Sequence, residues 1–257
     1  MRPGLVSITF RKLTPLQIVE LCCKNQLQAI EWGGDVHVPH GDIDTATQVG
    51  RLTRQHGLHV AAYGSYYRLA ASPADGLDFS SVLASAVALE TSAIRVWAGN
   101  RGSADTDAGW RDEVIQDALR CADLAAEKGI TICYEFHNGT LTDTLESTCD
   151  ILASTSHPFI KTLWQPPHGR PLEECLHGLR TLAPRLQHVH GFHWWPNPAH
   201  RLPLREGKDR WTAYVSELRA LGLDADILLE FVAGDSPDAL TDDAAFLNEL
   251  LREPSKP

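Results

Sequence analysis

The feature of this sequence that most limits its fold is a regular alternation of two patterns. Short runs rich in β-branched and aromatic residues are each followed by a turn and then by a stretch with helical period. The eight runs are 5–10, 29–32, 59–63, 93–97, 130–136, 159–164, 186–192 and 227–232. Strands that alternate with helices are typical of βαβ units in a parallel sheet, and eight of them predict a single (β/α)8 TIM barrel.

Local signals place helices between these strands. Thr14 and Pro15 offer an N-cap and a first-turn proline before the first helix, and Thr142–Asp143 precede the helix that follows the fifth strand. The first strand lacks the glycine-rich turn of an open dinucleotide-binding sheet. No linker or change of composition interrupts the chain, so we expect one domain over residues 1–257.

Charge and hydropathy exclude several classes of protein. With 23 Lys and Arg against 33 Asp and Glu, the formal net charge is −10, which disfavours binding to nucleic acid. No long apolar run predicts a membrane helix, and the N-terminus lacks the pattern of a secretory signal. The six cysteines form no C-x-x-C pair, which is typical of reduced thiols. We therefore expect a cytoplasmic protein that binds neither membranes nor nucleic acid.

Polar residues stand at the ends of strands that should be buried. Glu135 lies in ITICYEFHN and Glu230 in ILLEFVAGD, and a buried carboxylate costs several kcal/mol unless it is paired or binds a metal. Gln165 follows the sixth strand, and His190 shares one face of the seventh with His188, which we interpret as a packing residue or as one that supports a ligand without binding the metal.

In a barrel these four donors, Glu135, Gln165, His190 and Glu230, would meet at the carboxyl ends of the strands. Oxygen and imidazole donors of this kind predict a site for one divalent metal ion, Mn, Mg, Co or Zn.

This order of donors resembles the xylose isomerase-like barrel superfamily. The shared pattern is a Glu after strand five, a polar residue with a nearby His after strand six, an H-x-H on strand seven and a Glu after strand eight. It covers roughly residues 4–252. The resemblance implies metal ligands at Glu135, Gln165, His190 and Glu230. Gln165 departs from the family, which has Asp there, and this leaves two carboxylates instead of three.

The resemblance also implies an activity. A divalent cation would polarise a carbonyl, and Glu135 and Glu230 would act as catalytic acid and base on an enediolate. We therefore expect an enzyme, an isomerase or epimerase of carbohydrate metabolism that acts on a small sugar or sugar derivative. Barrels of this kind commonly dimerise, so a homodimer is expected by analogy alone.

Further polar and aromatic residues near the strand ends are candidates for substrate binding. Trp97 could stack on a sugar, Arg95 could bind its polar groups, and Arg201 belongs to a long, basic loop after the seventh strand. The full set of candidates is His37, Arg95, Trp97, His137, His168, His193 and Arg201.

Three alternatives remain open from the sequence. Gln165 would also suit a non-catalytic sugar-binding barrel with a degraded metal site. A sugar dehydratase is a second alternative, because an enolate can go on to eliminate a hydroxyl group. A nuclease similar to endonuclease IV is disfavoured by the net charge of −10 and by the absence of a D-x-H motif after the seventh strand.

Overall fold

The computed structural model describes residues 1–252, and eight of its strands form the closed barrel expected from the sequence. In chain order the strands are Pro3–Val6 (β1), Ala29–Gly33 (β2), His59–Arg68 (β3), Ala93–Trp97 (β4), Thr131–Tyr134 (β5), Ile160–Trp164 (β6), Leu186–Gly191 (β7), His193–Trp194 (β8), Arg201–Leu202 (β9) and Asp226–Leu229 (β10). The barrel order is β1-β10-β7-β6-β5-β4-β3-β2, while β8 and β9 form a separate antiparallel pair. The fold is a (β/α)8 TIM barrel.

Helices follow the barrel strands. They are Pro15–Lys24 (α1), Ile43–Gln55 (α2), Phe79–Leu89 (α3), Ala108–Ala126 (α4), Leu145–Ser154 (α5), Leu172–Leu182 (α6), Lys208–Ala220 (α7) and Pro237–Arg252 (α8). The expected cap of α1 is present, since the Thr14 side chain accepts a hydrogen bond from Gln17 N–H. Helix α5 is capped by Thr144 instead of the expected Thr142–Asp143. None of the helices within residues 1–252 has both the length and the apolar character needed to cross a membrane.

The chain divides into two compact units. The first unit comprises residues 1–31, 52–59 and those from Trp164 onward, and the second comprises 32–51 and 60–163. In the first unit, β1 lies between β2 and β10, and all four of its residues are buried. Gly4 is required there, because a Cβ atom would lie 2.5 Å from Leu228 Cδ2 and 2.6 Å from the Ala29 carbonyl oxygen.

The second unit contains the most irregular barrel strand. β3 was expected to end at Tyr63 but continues to Arg68 through a change of register between Gly64 and Tyr67. Tyr66 adopts a left-handed backbone with φ of 55° at this bulge. Asp117 of α4 holds the segment that follows, accepting hydrogen bonds from Ala70 N–H at 2.8 Å and the Tyr67 hydroxyl at 3.2 Å.

Three other predicted strands end two or more residues earlier than expected. Residues 7–10 form a 3-10 turn after β1, and β5 and β10 stop at Tyr134 and Leu229. Glu135 and Glu230 therefore lie just beyond their strands. For β10 the reason is visible in Phe231, whose φ of 49° does not suit a strand.

Asp243 of α8 provides a test of the first unit. It is 4% exposed and accepts a hydrogen bond from Leu204 N–H at 2.7 Å. Burial raises the pKa of Asp243 to about 6, although the Leu204 bond opposes this shift. The protonated carboxyl is thus favoured in the folded state, and this stabilisation is present below pH about 4 and lost as the pH rises through about 6.

We expect Asp243→Asn, which keeps the acceptor but cannot ionise, to gain stability relative to wild type as the pH rises from 4 to 8. The gain should approach about 3 kcal/mol, from roughly two pKa units at 1.36 kcal/mol each. Urea unfolding at both pH values measures it. A difference between the two proteins that does not change with pH would contradict the assignment.

Candidate active site

A buried group of ionisable residues lies on the strands of the first unit. Glu31, the third residue of β2, places its Oε2 atom 3.1 Å from His190 Nε2 and 3.2 Å from His188 Nε2. The two histidines are two residues apart on β7, so they share one face of that strand. All three side chains are at most 3% exposed, and their ligand atoms lie within 4.8 Å of one another.

Glu230 completes this group from the end of β10. The Glu230 N–H donates to the Gly191 carbonyl at 3.0 Å, which continues the pairing of β10 with β7 by one residue. Its Oε2 atom lies 3.4 Å from His190 Nδ1. His190 Nδ1 is buried and makes no hydrogen bond to the described residues.

The charges of this group suit a cation. Burial, the largest influence, lowers the pKa of His190, but the negative charges of Glu230 and Glu31 outweigh it and raise this pKa to about 10. Burial lowers the pKa of His188, with Glu31 opposing the shift, which favours a neutral ring. The imidazolium of His190 therefore supplies positive charge between two carboxylates.

The donor set also fits a divalent metal ion. Two ligands about 2.1 Å from a metal and about 90–110° apart are separated by about 3.0–3.4 Å. The separation of 3.4 Å between His190 Nδ1 and Glu230 Oε2 agrees with this spacing. The buried Nδ1 atom without a hydrogen bond is the kind of group that a metal would satisfy. Gln165, the third expected ligand in this unit, lies directly after β6 and is half-buried.

An aromatic layer belongs to the same unit. The His168 ring stacks on Trp194 at 5.2 Å, and Trp194 stacks on Phe192 at 4.0 Å. The Arg201 guanidinium lies 4.7 Å from the Phe231 ring and pairs with both carboxylate oxygens of Asp235, at 2.9 and 3.0 Å. The positive charge of Arg201 is therefore already balanced.

His193 lies apart from that stack, on β8. A Cβ atom on Gly207, at the start of α7, would lie 2.6 Å from His193 Nδ1, so this ring covers the glycine closely. Burial lowers the pKa of His193, and Arg210 adds to the shift.

In the second unit, Glu135 is clamped by two donors. The Arg95 guanidinium and the Trp97 indole N–H both donate to Glu135 Oε2. The Arg95 and Glu135 side chains are only 1% and 5% exposed. Arg95 and Trp97 reach the same carboxylate because they alternate on β4, as the sequence predicts.

His137 follows Glu135 by two residues and stacks on Trp97, with ring centres 4.4 Å apart. Its Nδ1 atom lies 2.7 Å from the Asn138 carbonyl oxygen. Because a carbonyl can only accept, the neutral ring carries its proton on Nδ1, which leaves a lone pair on Nε2. His137 N–H donates to the Thr142 carbonyl at 3.2 Å, which holds this loop closed.

His37, another candidate, is buried in the second unit. Its ring meets Trp32 edge to face, with centres 5.8 Å apart.

Two features of the site were missed from the sequence. Glu31 lies in the predicted strand 29–32, but its contact with His190 joins residues 159 positions apart, which spacing alone does not reveal. The other is Arg68, whose guanidinium lies 5.0 Å from the Trp97 ring because the two residues are paired in register. The unexpected extension of β3 brings Arg68 to this position, so only a prediction of the bulge could have found it.

Comparison with known proteins identifies the family of this chain. The family model of the xylose isomerase-like TIM barrel matches residues 16–250. The chain belongs to this family.

Proteins that are similar to this chain differ in the activities that their names state. A 3-dehydroshikimate dehydratase from Bacillus anthracis is 26% identical over 207 residues, covering 74% of this chain and 71% of the relative. Among solved structures, the probable 3-DHS dehydratase of petrobactin synthesis from the same organism has a TM-score of 0.82 and 23% identity, covering 96% of this chain and 99% of that one. The 3-keto-D-glucoside 4-epimerase of E. coli has a TM-score of 0.74 and 16% identity, covering 98% and 99%.

The Arg95–Glu135 pair allows a direct test of the second unit. Removing one partner of a buried ion pair leaves an uncompensated charge, at a cost of about 3–5 kcal/mol. We expect Arg95→Met to lose stability on this scale in denaturant unfolding, and Arg95→Met with Glu135→Met to recover part of it. The matched control Arg180→Met, at an exposed pair with Glu173 and Glu217, should have a much smaller effect. Equal losses at the two arginines would show that Glu135 does not depend on Arg95.

Proposed function

We propose that this protein is a divalent-metal-dependent enzyme that removes a proton beside a carbonyl group of a small sugar or polyhydroxylated sugar derivative. The observation that carries the proposal is His190 Nδ1, a buried nitrogen without a hydrogen bond to the described residues, 3.4 Å from Glu230 Oε2. We assign Glu135 and Gln165 as the remaining ligands, because the carboxyl ends of barrel strands form the functional face of this fold. Gln165 would bind through its neutral amide oxygen.

When bound, a divalent cation would polarise the substrate carbonyl and stabilise the charge that develops on its oxygen. The chain must then supply the groups that move protons. We propose His137 as the first of these, since its Nε2 lone pair can accept a proton while the Asn138 carbonyl fixes the ring. Arg95 and Trp97 both engage the Glu135 carboxylate, which supports a role for Glu135 as a fixed ligand rather than as a mobile base.

Among the reactions open to such a site, we favour dehydration. His137 Nε2 takes the proton, the C–H electron pair forms the enolate, and the β-hydroxyl then leaves with the same proton as water. One imidazole can serve both steps, so no oxidant or second base is needed. The similarity to a 3-dehydroshikimate dehydratase supports this choice and makes 3-dehydroshikimate the first substrate to test.

Epimerisation is the second candidate, and Glu230 is the observation that favours it. This carboxylate beside His190 could return a proton to the enolate as the second base of a two-base reaction. An epimerase would exchange substrate hydrogen with solvent deuterium without releasing water.

Metal content, thermal melting and proton NMR in D2O test the proposal together. We expect one metal ion per chain, a higher melting temperature with Mn²⁺ than with chelator, and loss of water from 3-dehydroshikimate. Deuterium exchange into a ketose without dehydration would establish the epimerase instead. A protein that binds sugars but no metal would contradict both and favour a binding barrel.

Two substitutions separate the roles of the residues. Glu230→Gln should weaken metal binding and abolish turnover. His137→Asn should retain the metal but lower turnover by about 10²–10⁴-fold, the usual contribution of a general acid or base. The control His177→Asn changes an exposed histidine of α6 and should leave both properties unchanged. Full turnover in His137→Asn would remove His137 from the mechanism.

A further inference from the structure

Glu31 is not among the proposed metal ligands or proton carriers, yet it is the most completely buried carboxylate of the candidate site, at 0% exposed. A fully buried carboxylate costs several kcal/mol unless its partners compensate. An acid at this position therefore needs a reason, which its partners must supply.

The contacts of Glu31 indicate that reason. A single oxygen, Oε2, lies 3.1 Å from His190 Nε2 and 3.2 Å from His188 Nε2. An ionised carboxylate can only accept hydrogen bonds, so the 3.1 Å contact places a proton on His190 Nε2. The other ring nitrogen, Nδ1, then points toward Glu230 Oε2 at 3.4 Å.

We infer that Glu31 is a positioning residue, which fixes the His190 ring with its proton on Nε2 and thereby directs the Nδ1 lone pair at the metal. The inference rests on the proposed function and deepens it. Histidine ligands usually donate their second N–H to a carboxylate or a carbonyl, and loss of that partner typically lowers metal affinity by about 10–100-fold. His188 Nε2 makes the second contact of the same oxygen, at 3.2 Å.

Mn²⁺ binding provides the first test, measured from the electron paramagnetic resonance signal of the free ion at constant pH. We expect Glu31→Leu to weaken Mn²⁺ binding by about 10–100-fold. Glu31→Gln should weaken it less, because the amide oxygen still accepts from Nε2–H. The control is Asp243→Asn, the same acid-to-amide change at a buried position of α8, which should bind Mn²⁺ as wild type does.

Nitrogen-15 NMR of histidine-labelled protein with Mg²⁺ or Zn²⁺ gives a second readout, which a purely structural role would not change. In wild type, the His190 resonances, identified by their absence in His190→Gln, should show the proton on Nε2 and the metal on Nδ1. This measurement on wild type remains decisive if Glu31→Leu does not fold.

The outcomes separate the two proposals. Wild-type protein that binds no metal would overturn the proposed function and this inference together. Wild type that binds Mn²⁺, with unchanged affinity in Glu31→Leu, would overturn only the positioning role of Glu31. A His190 proton on Nδ1 in the metal-bound wild type would overturn that role and the assignment of Nδ1 as a metal ligand.

Discussion

His190 lies between two buried carboxylates, and the candidate site depends on the resulting balance of charge. Glu31 approaches Nε2 and Glu230 approaches Nδ1, while the imidazole itself is 0% exposed. Neither acid could be buried cheaply without a positive partner, and burial alone would leave the ring neutral. Glu230 and Glu31 raise the pKa of His190, which favours a proton that supplies this positive charge. In our proposal a divalent cation takes the place of the Nδ1 proton, so the same charges that stabilise the fold also create the metal site.

In the second unit, a buried carboxylate is compensated by a different set of partners. Glu135 is also buried, but the Arg95 guanidinium and the Trp97 indole hold its carboxylate. Trp97 in turn carries the stacked ring of His137, which the Asn138 carbonyl holds in one tautomer. One short loop thus carries a fixed carboxylate, Glu135, and an oriented imidazole, His137, two residues apart. This rigidity is what a proposed ligand and a proposed base both require.

Much of the fold follows from the sequence, because βαβ alternation is a local pattern with few architectures open to it. The ends of the strands were harder to predict, because a buried 3-10 turn such as 7–10 has the same composition as a strand. Glu135 and Glu230 stood out as acids in apolar runs, but their partners could not be read from spacing. Arg95 was predicted to bind substrate, but its contact with Glu135 was not predicted, nor was the contact of Glu31 with a histidine 159 residues away. Contacts of this kind depend on register between distant strands, which one sequence does not specify.

Anomalous diffraction from crystals grown with Mn²⁺ would test the central claim most directly. The account predicts one strong manganese peak, bonded to His190 Nδ1 and Glu230 at about 2.0–2.2 Å, with Glu31 still in contact with Nε2. A manganese ion bonded to Nε2, or no manganese peak at His190, would contradict it.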